Sequence, residues 1–191
     1  MARTGVQRIT LWDDDIVASH NLGNQVFRHQ DINKPKTTAL AEILHDINPD
    51  LTIIEKGKCS TEDRIAGYVF LCVDNIDVRR ELCTAWAKKP DIRFVIDGRM
   101  RLTDGTIYAA DWGKFTDKDD FIASMQYTHE EALEATPVTA CGFTQSIVYC
   151  PRVLASLMVA NFIKFMKLNV YNKFMLIDLQ SMAIDAYSTN N

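Results

Sequence analysis

Hydrophobic and polar positions alternate over residues 8–12, and this period of two in β-prone residues predicts a first strand. A helix opens at Asn33-Lys34-Pro35-Lys36, where Ala39, Leu40, Ile43, Leu44 and Ile47 form a one-sided stripe. Asn33 is its candidate N-cap and Pro35 lies in its first turn. After the Asn48-Pro49 stop, residues 51–58 read as a strand, and the run GYVFLC over residues 67–72 suits a strand buried on both faces. Residues 76–88 predict a helix with Val78, Leu82, Ala85 and Trp86 inward, residues 92–96 another strand, and Asp97-Gly98-Arg99 a turn at its end. Residues 105–112 alternate again after the Thr103-Asp104-Gly105 turn and suggest an antiparallel strand. Residues 113–139 are polar and acidic and read as a solvated excursion. The apolar stretch 146–167 is broken by Arg152, Asn161, Lys164 and Lys167, which favours a core and dimer-interface helix over a membrane span. Residues 174–179 close the series as a strand before a polar tail over 188–191. Strands alternating with helices predict an α/β fold, parallel first and antiparallel later.

Composition narrows this picture. A chain of 191 residues, 47% hydrophobic and without repeats or linker, is expected to bury one core as a single domain over 1–191. A net charge of -4 supplies no electrostatic reason to expect nucleic acid. No signal peptide or membrane-length apolar run is visible, so the expected location is soluble and cytoplasmic. The five cysteines, Cys59, Cys72, Cys83, Cys141 and Cys150, form no Cys-x-x-Cys pair and are expected to be reduced. The four histidines, His20, His29, His45 and His129, show no zinc-ligand spacing.

Chemistry-bearing residues concentrate over residues 11–36. Asp13, Asp14 and Asp15 fall where the first strand ends, the edge of an open α/β sheet at which ligands bind. An acidic residue closing the second strand of a nucleotide-binding unit accepts hydrogen bonds from ribose hydroxyls, a role suited to Asp13; solvating a turn is the alternative. Lys36 stands at a helix start, where backbone N–H groups already favour anions and a lysine opposes the dipole, which suggests an anion for it to meet. An ordinary exposed lysine is the alternative.

The ordered series Asp13 and Asp15, then Asn21-Leu22-Gly23-Asn24-Gln25, then Pro35-Lys36, then Asn48-Pro49 resembles the ThiF and MoeB adenylyltransferases and the ubiquitin-activating enzymes. Those proteins share Asp-x-Asp, Asn-Leu-x-Arg-Gln and Pro-Lys before a helix ending in Asn-Pro. The resemblance is strong over residues 8–49 and weaker over most of the rest. It implies a Rossmann-like ThiF-type sheet, parallel with an antiparallel extension, and a homodimer. It also implies ATP-dependent adenylylation of the C-terminal carboxylate of a ubiquitin-like or sulfur-carrier protein, giving acyl-adenylate and pyrophosphate. By position, Asp13, Asp15 and Gln25 would bind nucleotide, with the ribose at Asp13. Asn21 and Lys36 would hold the phosphates, and Asp74, in the triplet Val73-Asp74-Asn75, the Mg2+. The alternative for Asp74 is an N-cap of the following helix. Cys141 lies where some family members carry a cysteine that receives the activated substrate.

Two departures stand out. The family's arginine in Asn-Leu-x-Arg is Asn24 here, which removes a charge and a fork of donors; Arg28 lies one helical turn on and is the candidate replacement. In the family a first strand and a Gly-x-Gly-x-x-Gly turn precede residues like these, so the first β-α unit is expected to be absent from this sequence, the fold N-terminally truncated. In a doubly wound sheet that strand lies between the second and fourth. An upstream segment, a separate chain supplying the strand, or a sheet closed differently would each answer the gap. A degenerate, non-catalytic subunit that binds a protein partner is the competing reading of function. A dinucleotide-dependent oxidoreductase is less favoured, because nothing suggests a hydride-transfer site.

Overall fold

The computed structural model describes residues 1–101, 103–134 and 148–188. Contacts divide the chain into two units, Met1–Ser60 and Thr61–Asn191.

In the first unit, β1 (Arg8–Trp12) and β2 (Thr52–Lys56) pair in parallel, from Arg8 opposite Thr52 to Trp12 opposite Lys56. A parallel pair needs a crossover, and α1 (Lys36–Ile47) provides it. The helix begins two residues beyond the expected Asn33-Lys34, with Pro35 in the cap position. Asn33 instead adopts a left-handed conformation, φ 70°, and donates its N–H to the Val17 carbonyl. Thr37, Ala39 and Ala41 are the buried residues of α1, while Ile47 at the end of the expected stripe is 38% exposed. Small side chains on the inner face leave this unit a thin core of Ala2, Val17, Ala39, Ala41 and Leu51.

The second unit carries a five-stranded sheet in the order β3-β4-β5-β6-β7: β3 (Gly67–Leu71), β4 (Ile92–Met100), β5 (Asp104–Asp111), β6 (Asn172–Asp178) and β7 (Ala183–Ser188). The β3–β4 pair is parallel, joined through α2 (Ile76–Trp86), and the later pairs are antiparallel, as the sequence pattern suggests. β4 is deeply buried: Phe94, Val95 and Ile96 have no exposed surface, and Phe94 stacks on Phe165 of α5 (Tyr149–Leu168) with ring centroids 4.3 Å apart. Phe162 of the same helix meets Tyr68 and Phe70 edge-on. Asn161, which interrupts the apolar face of α5 in the sequence, is buried and bonded both ways to the backbone of Asn172. No described helix is long and apolar enough to cross a membrane.

Three expectations change. Asp97-Gly98-Arg99 is no turn: β4 runs through it to Met100. The excursion over residues 113–139 contains α3 (Phe115–Ala123) and α4 (His129–Glu134). Between the expected closing strand and the expected tail lies β7, for which the sequence pattern offers no strand; every residue of it is exposed, and it pairs with β6 alone among the described strands. β1 likewise pairs only with β2, and β3 only with β4, among the described residues.

Candidate functional site

Residues after β1 fold back as an irregular loop whose ends zip together. Val17 N–H donates to the Lys34 carbonyl, Asn33 N–H to the Val17 carbonyl and Lys36 N–H to the Asp15 carbonyl, each at 2.9 Å, and Ile16 bridges Pro35 antiparallel. This pairing brings the strand-end aspartates to the first turn of α1. Lys36 Nζ reaches Asp15 Oδ2 at 2.6 Å; the lysine side chain is only 15% exposed and the aspartate 67%. Asp13 Oδ1 accepts the Asp15 N–H at 2.8 Å, so Asp13 and Asp15 belong to one small turn. Carboxylate oxygens of Asp13, Asp14 and Asp15 lie within 4.8 Å of one another, beside the Lys36 ammonium.

Asn21 is buried in a short 3-10 turn, Ser19–Gly23, where its Oδ1 accepts the Ala18 N–H at 2.9 Å. Its carbonyl accepts the Gln25 N–H at 2.8 Å, so Gln25 follows directly, with an exposed side chain. The Asn24 side-chain oxygen is buried without a hydrogen-bond partner. Arg28 turns to another task. Its Nε meets Asp31 Oδ2 at 3.0 Å and its Nη1 meets Asp46 Oδ2 at 3.2 Å, tying the turn His29–Asp31 to the last turn of α1. Lys34 joins this network through Glu42 at 2.6 Å. The Arg28 hydrogen bonds hold the Asp31 carboxyl, which has no exposed surface, down to a pKa of about 2.

In the second unit, Asp74 lies between β3 and α2, exposed and without a side-chain hydrogen bond among the described residues. The cap is its neighbour Asn75, whose Oδ1 accepts from Asp77 N–H at 2.9 Å and Val78 N–H at 3.1 Å. Asp74 therefore has no capping duty, and an exposed carboxylate of this kind fits a hard cation such as Mg2+, which takes few protein oxygens and keeps its remaining ligands as water or phosphate. Cys141 lies outside the described residues. Of the other thiols, burial pushes Cys83 and Cys150 upwards, which suits packing and not nucleophilic attack.

A buried charge network beside Asp74 was not foreseen in the sequence. Asp97 has no exposed surface and is shared by two arginines, Arg79 Nη1 at 2.5 Å and Arg99 Nε at 2.6 Å. Arg99 also donates to the Ser124 carbonyl and hydroxyl, both at 2.8 Å, and covers the Tyr108 ring at 4.1 Å. The available signal was Arg79 itself, which sits on the inner stripe of α2 with Ile76, Leu82, Cys83 and Trp86. A charge on a core-facing stripe requires a buried partner.

The ThiF family model matches residues 1–191. The chain is 32% identical over 92 residues to the sulfur carrier protein ThiS adenylyltransferase of Escherichia coli (strain K12), a match covering 44% of this chain and 37% of that protein. Among solved structures it resembles Escherichia coli MccB, solved with ATP, at a TM-score of 0.69 and 18% identity, covering 100% of this chain and 58% of MccB. The structure of PaaA is similar at a TM-score of 0.69 and 15% identity, covering 99% of this chain and 67% of PaaA. The fold is thus the Rossmann-like one of these enzymes. The match to the curated relative spans just over a third of its length. With its family model extending over both units, the chain belongs to the ThiF family.

Proposed function

We propose that the chain takes part in ATP-dependent adenylylation of the C-terminal carboxylate of a ubiquitin-like or sulfur-carrier protein. A carboxylate oxygen bonds to the α-phosphorus, the bond from that phosphorus to the bridging oxygen breaks, and pyrophosphate leaves with the electron pair. Such a displacement asks for charge neutralisation and in-line positioning more than for proton transfer. In the first unit, Asp13 with Asp15 and Gln25 serves the nucleoside, and Asn21 and Lys36 serve the phosphates. Lys36 needs only to exchange an exposed carboxylate, Asp15, for a phosphate oxygen. In the second unit Asp74 holds the magnesium, whose chemistry is to offset charge on the departing pyrophosphate.

The observation that carries this reading is Asp74 left idle at a strand end while Asn75 does the capping. Further support comes from the family match and from the name of the 32%-identical relative. The partner is then a small carrier protein with a free C-terminal glycine. A homodimer and a cytoplasmic setting accompany the proposal by analogy with the family.

A second reading, a non-catalytic subunit that binds a protein partner, is favoured by Arg28. Its guanidinium is committed to Asp31 and Asp46, so replacing the family's phosphate arginine would require breaking those pairs. Calorimetry with Mg-ATP on this chain separates the two. Under the catalytic reading Lys36→Ala and Asp74→Asn each weaken binding, and labelled pyrophosphate exchanges into ATP once a carrier is supplied. Absence of nucleotide binding by the unaltered chain leaves the partner-binding reading. Unchanged affinity in Arg28→Ala dismisses any phosphate role for that arginine.

A further inference from the structure

We infer that Arg79, anchored by Asp97, is the positioning residue for the Val73-Asp74-Asn75 turn, fixing where the Asp74 carboxylate is presented. Three bonds from one guanidinium make the case. Arg79 Nε donates to the Val73 carbonyl, the acceptor immediately before Asp74, and Nη1 donates to Asp97 Oδ1 and to the Gly98 carbonyl, the latter at 3.1 Å. The arginine thereby ties the end of β3 to the interior of β4 from its place on α2. On the other side of Asp74, Asn75 is fastened to the first turn of α2. The exposed residue thus sits between two fixed neighbours.

Burial makes the anchor stiff. The Arg79 side chain is 8% exposed and that of Asp97 not at all, and Arg99 occupies the second Asp97 oxygen, so the carboxylate cannot rotate away from either guanidinium without leaving one unpaired. A planar fork is needed here. A lysine ammonium on a flexible stem cannot hold the Val73 carbonyl and Asp97 with the same geometry. Supports behind a metal ligand typically change metal affinity 10–100-fold when removed. The Gly98 contact has its own condition: a Cβ at Gly98 would lie 2.8 Å from Met158 Sδ, so glycine lets β4 lie against α5 where Arg79 binds.

The magnesium side of this inference rests on the proposed role of Asp74; the positioning of the turn does not. The test therefore has two readouts on the full chain, compared among the unaltered protein, Arg79→Lys, Arg79→Ala and Asp74→Asn. The first is backbone order at Asp74 and Asn75 from amide NMR relaxation. The second is ATP affinity with and without magnesium. Both Arg79 variants are expected to loosen the turn and to lose the magnesium-dependent gain in affinity about tenfold or more, with metal-free ATP affinity unchanged. Asp74→Asn is expected to lose the same gain with the turn still ordered. An ordered turn in folded Arg79→Lys and Arg79→Ala overturns the inference whatever the nucleotide does. If Arg79→Ala fails to fold, the Lys variant decides alone. If the ATP affinity of the unaltered chain already ignores magnesium, a turn loosened in the Arg79 variants upholds the positioning role and sinks the metal assignment of Asp74.

Discussion

The two units of this chain hold their candidate residues in opposite ways. In the first, the candidates are themselves the scaffold: Asn21 closes a turn, Asp13 accepts from the Asp15 backbone, Lys36 pairs with Asp15, and Arg28 binds helix to loop. In the second, the candidate Asp74 is idle and other residues do the holding. The cause is the supply of apolar surface. A two-stranded parallel sheet beside one helix with a small-residue face buries little, so polar bonds must fix the loop. The five-stranded sheet under α5 has a dense core, which can afford an internal charge network. Variants of the first unit should therefore mix stability with binding, and variants of the second should separate them.

The strongest challenge to that contrast is Asp97→Ala. It leaves two guanidinium groups facing each other in the interior without their shared carboxylate, and removing one partner of a buried ion pair costs about 3–5 kcal/mol. For a chain of this size that lowers the melting temperature by roughly 2–4 °C per kcal/mol, read by calorimetry. A shift of a degree or two would mean that the network is as dispensable as a surface pair.

Next in size is Gly105→Ala. An added Cβ would approach the Arg99 carbonyl and Leu154 Cδ2, both at 2.8 Å, and the carbonyl belongs to the β-hairpin backbone and cannot yield. Overpacking of this kind costs about 1–3 kcal/mol. Gly98→Ala meets the flexible Met158 and should cost less, so chemical denaturation of the pair measures how rigid the second core is.

Acid should reveal the first unit. The folded Asp31 carboxyl titrates at about 2, below its ordinary 3.8, chiefly through the Arg28 hydrogen bonds. A depressed pKa contributes stability that is present above about pH 4 and is lost as pH falls from there towards 2. Trp12 lies in the first unit, and Trp86 and Trp112 lie in the second. In a variant keeping only Trp12, fluorescence should change over that window, and Asp31→Asn should flatten the change. Asp117, held down by Lys173 and Tyr171 against the opposing effect of burial, contributes in the same direction to the second unit.

How much of this was legible depends on whether an element's own residues carry its reason for forming. β1 and β5 were legible because their alternation survives in the fold. α1 and β3 were legible as elements only: of the α1 stripe Ala39 alone is buried, and β3 keeps Tyr68 exposed where a strand buried on both faces was expected. α3 was not: its sequence FTDKDDFIA reads as solvated, yet Asp117 is buried because Tyr171 donates to it and Lys173 pairs with it at 2.6 Å from β6. β7 exposes all its side chains and exists through pairing with β6, so no hydrophobic alternation announces it. Asp97-Gly98 reads as a turn by local rules, and distant partners overrule them: Arg79 claims the aspartate and Met158 closes on the glycine. At the candidate site, residue types and order were visible for Asp13, Asn21, Lys36 and Asp74, whereas the supporting bonds of Arg79 and Asp97 span 18 positions and leave only a charge on an apolar stripe.

The smallest expected effect is the most discriminating. Asp74 and Asn75 are adjacent, polar and near-isosteric, and the sequence alone allows the cap to be Asp74. The structure gives the cap to Asn75, so Asn75→Ala should cost about 1 kcal/mol of stability. Asp74→Asn should stay within about 0.5 kcal/mol, as for a surface change that breaks no bond. Urea unfolding of the two variants, with Mg-ATP affinity measured beside it, then sorts scaffold from function across a single peptide bond. Stability lost at residue 75 and magnesium response lost at residue 74 would confirm that the second unit keeps the two apart. Equal destabilisation by both variants would show that Asp74 is part of the framework after all, and the contrast between the units would disappear.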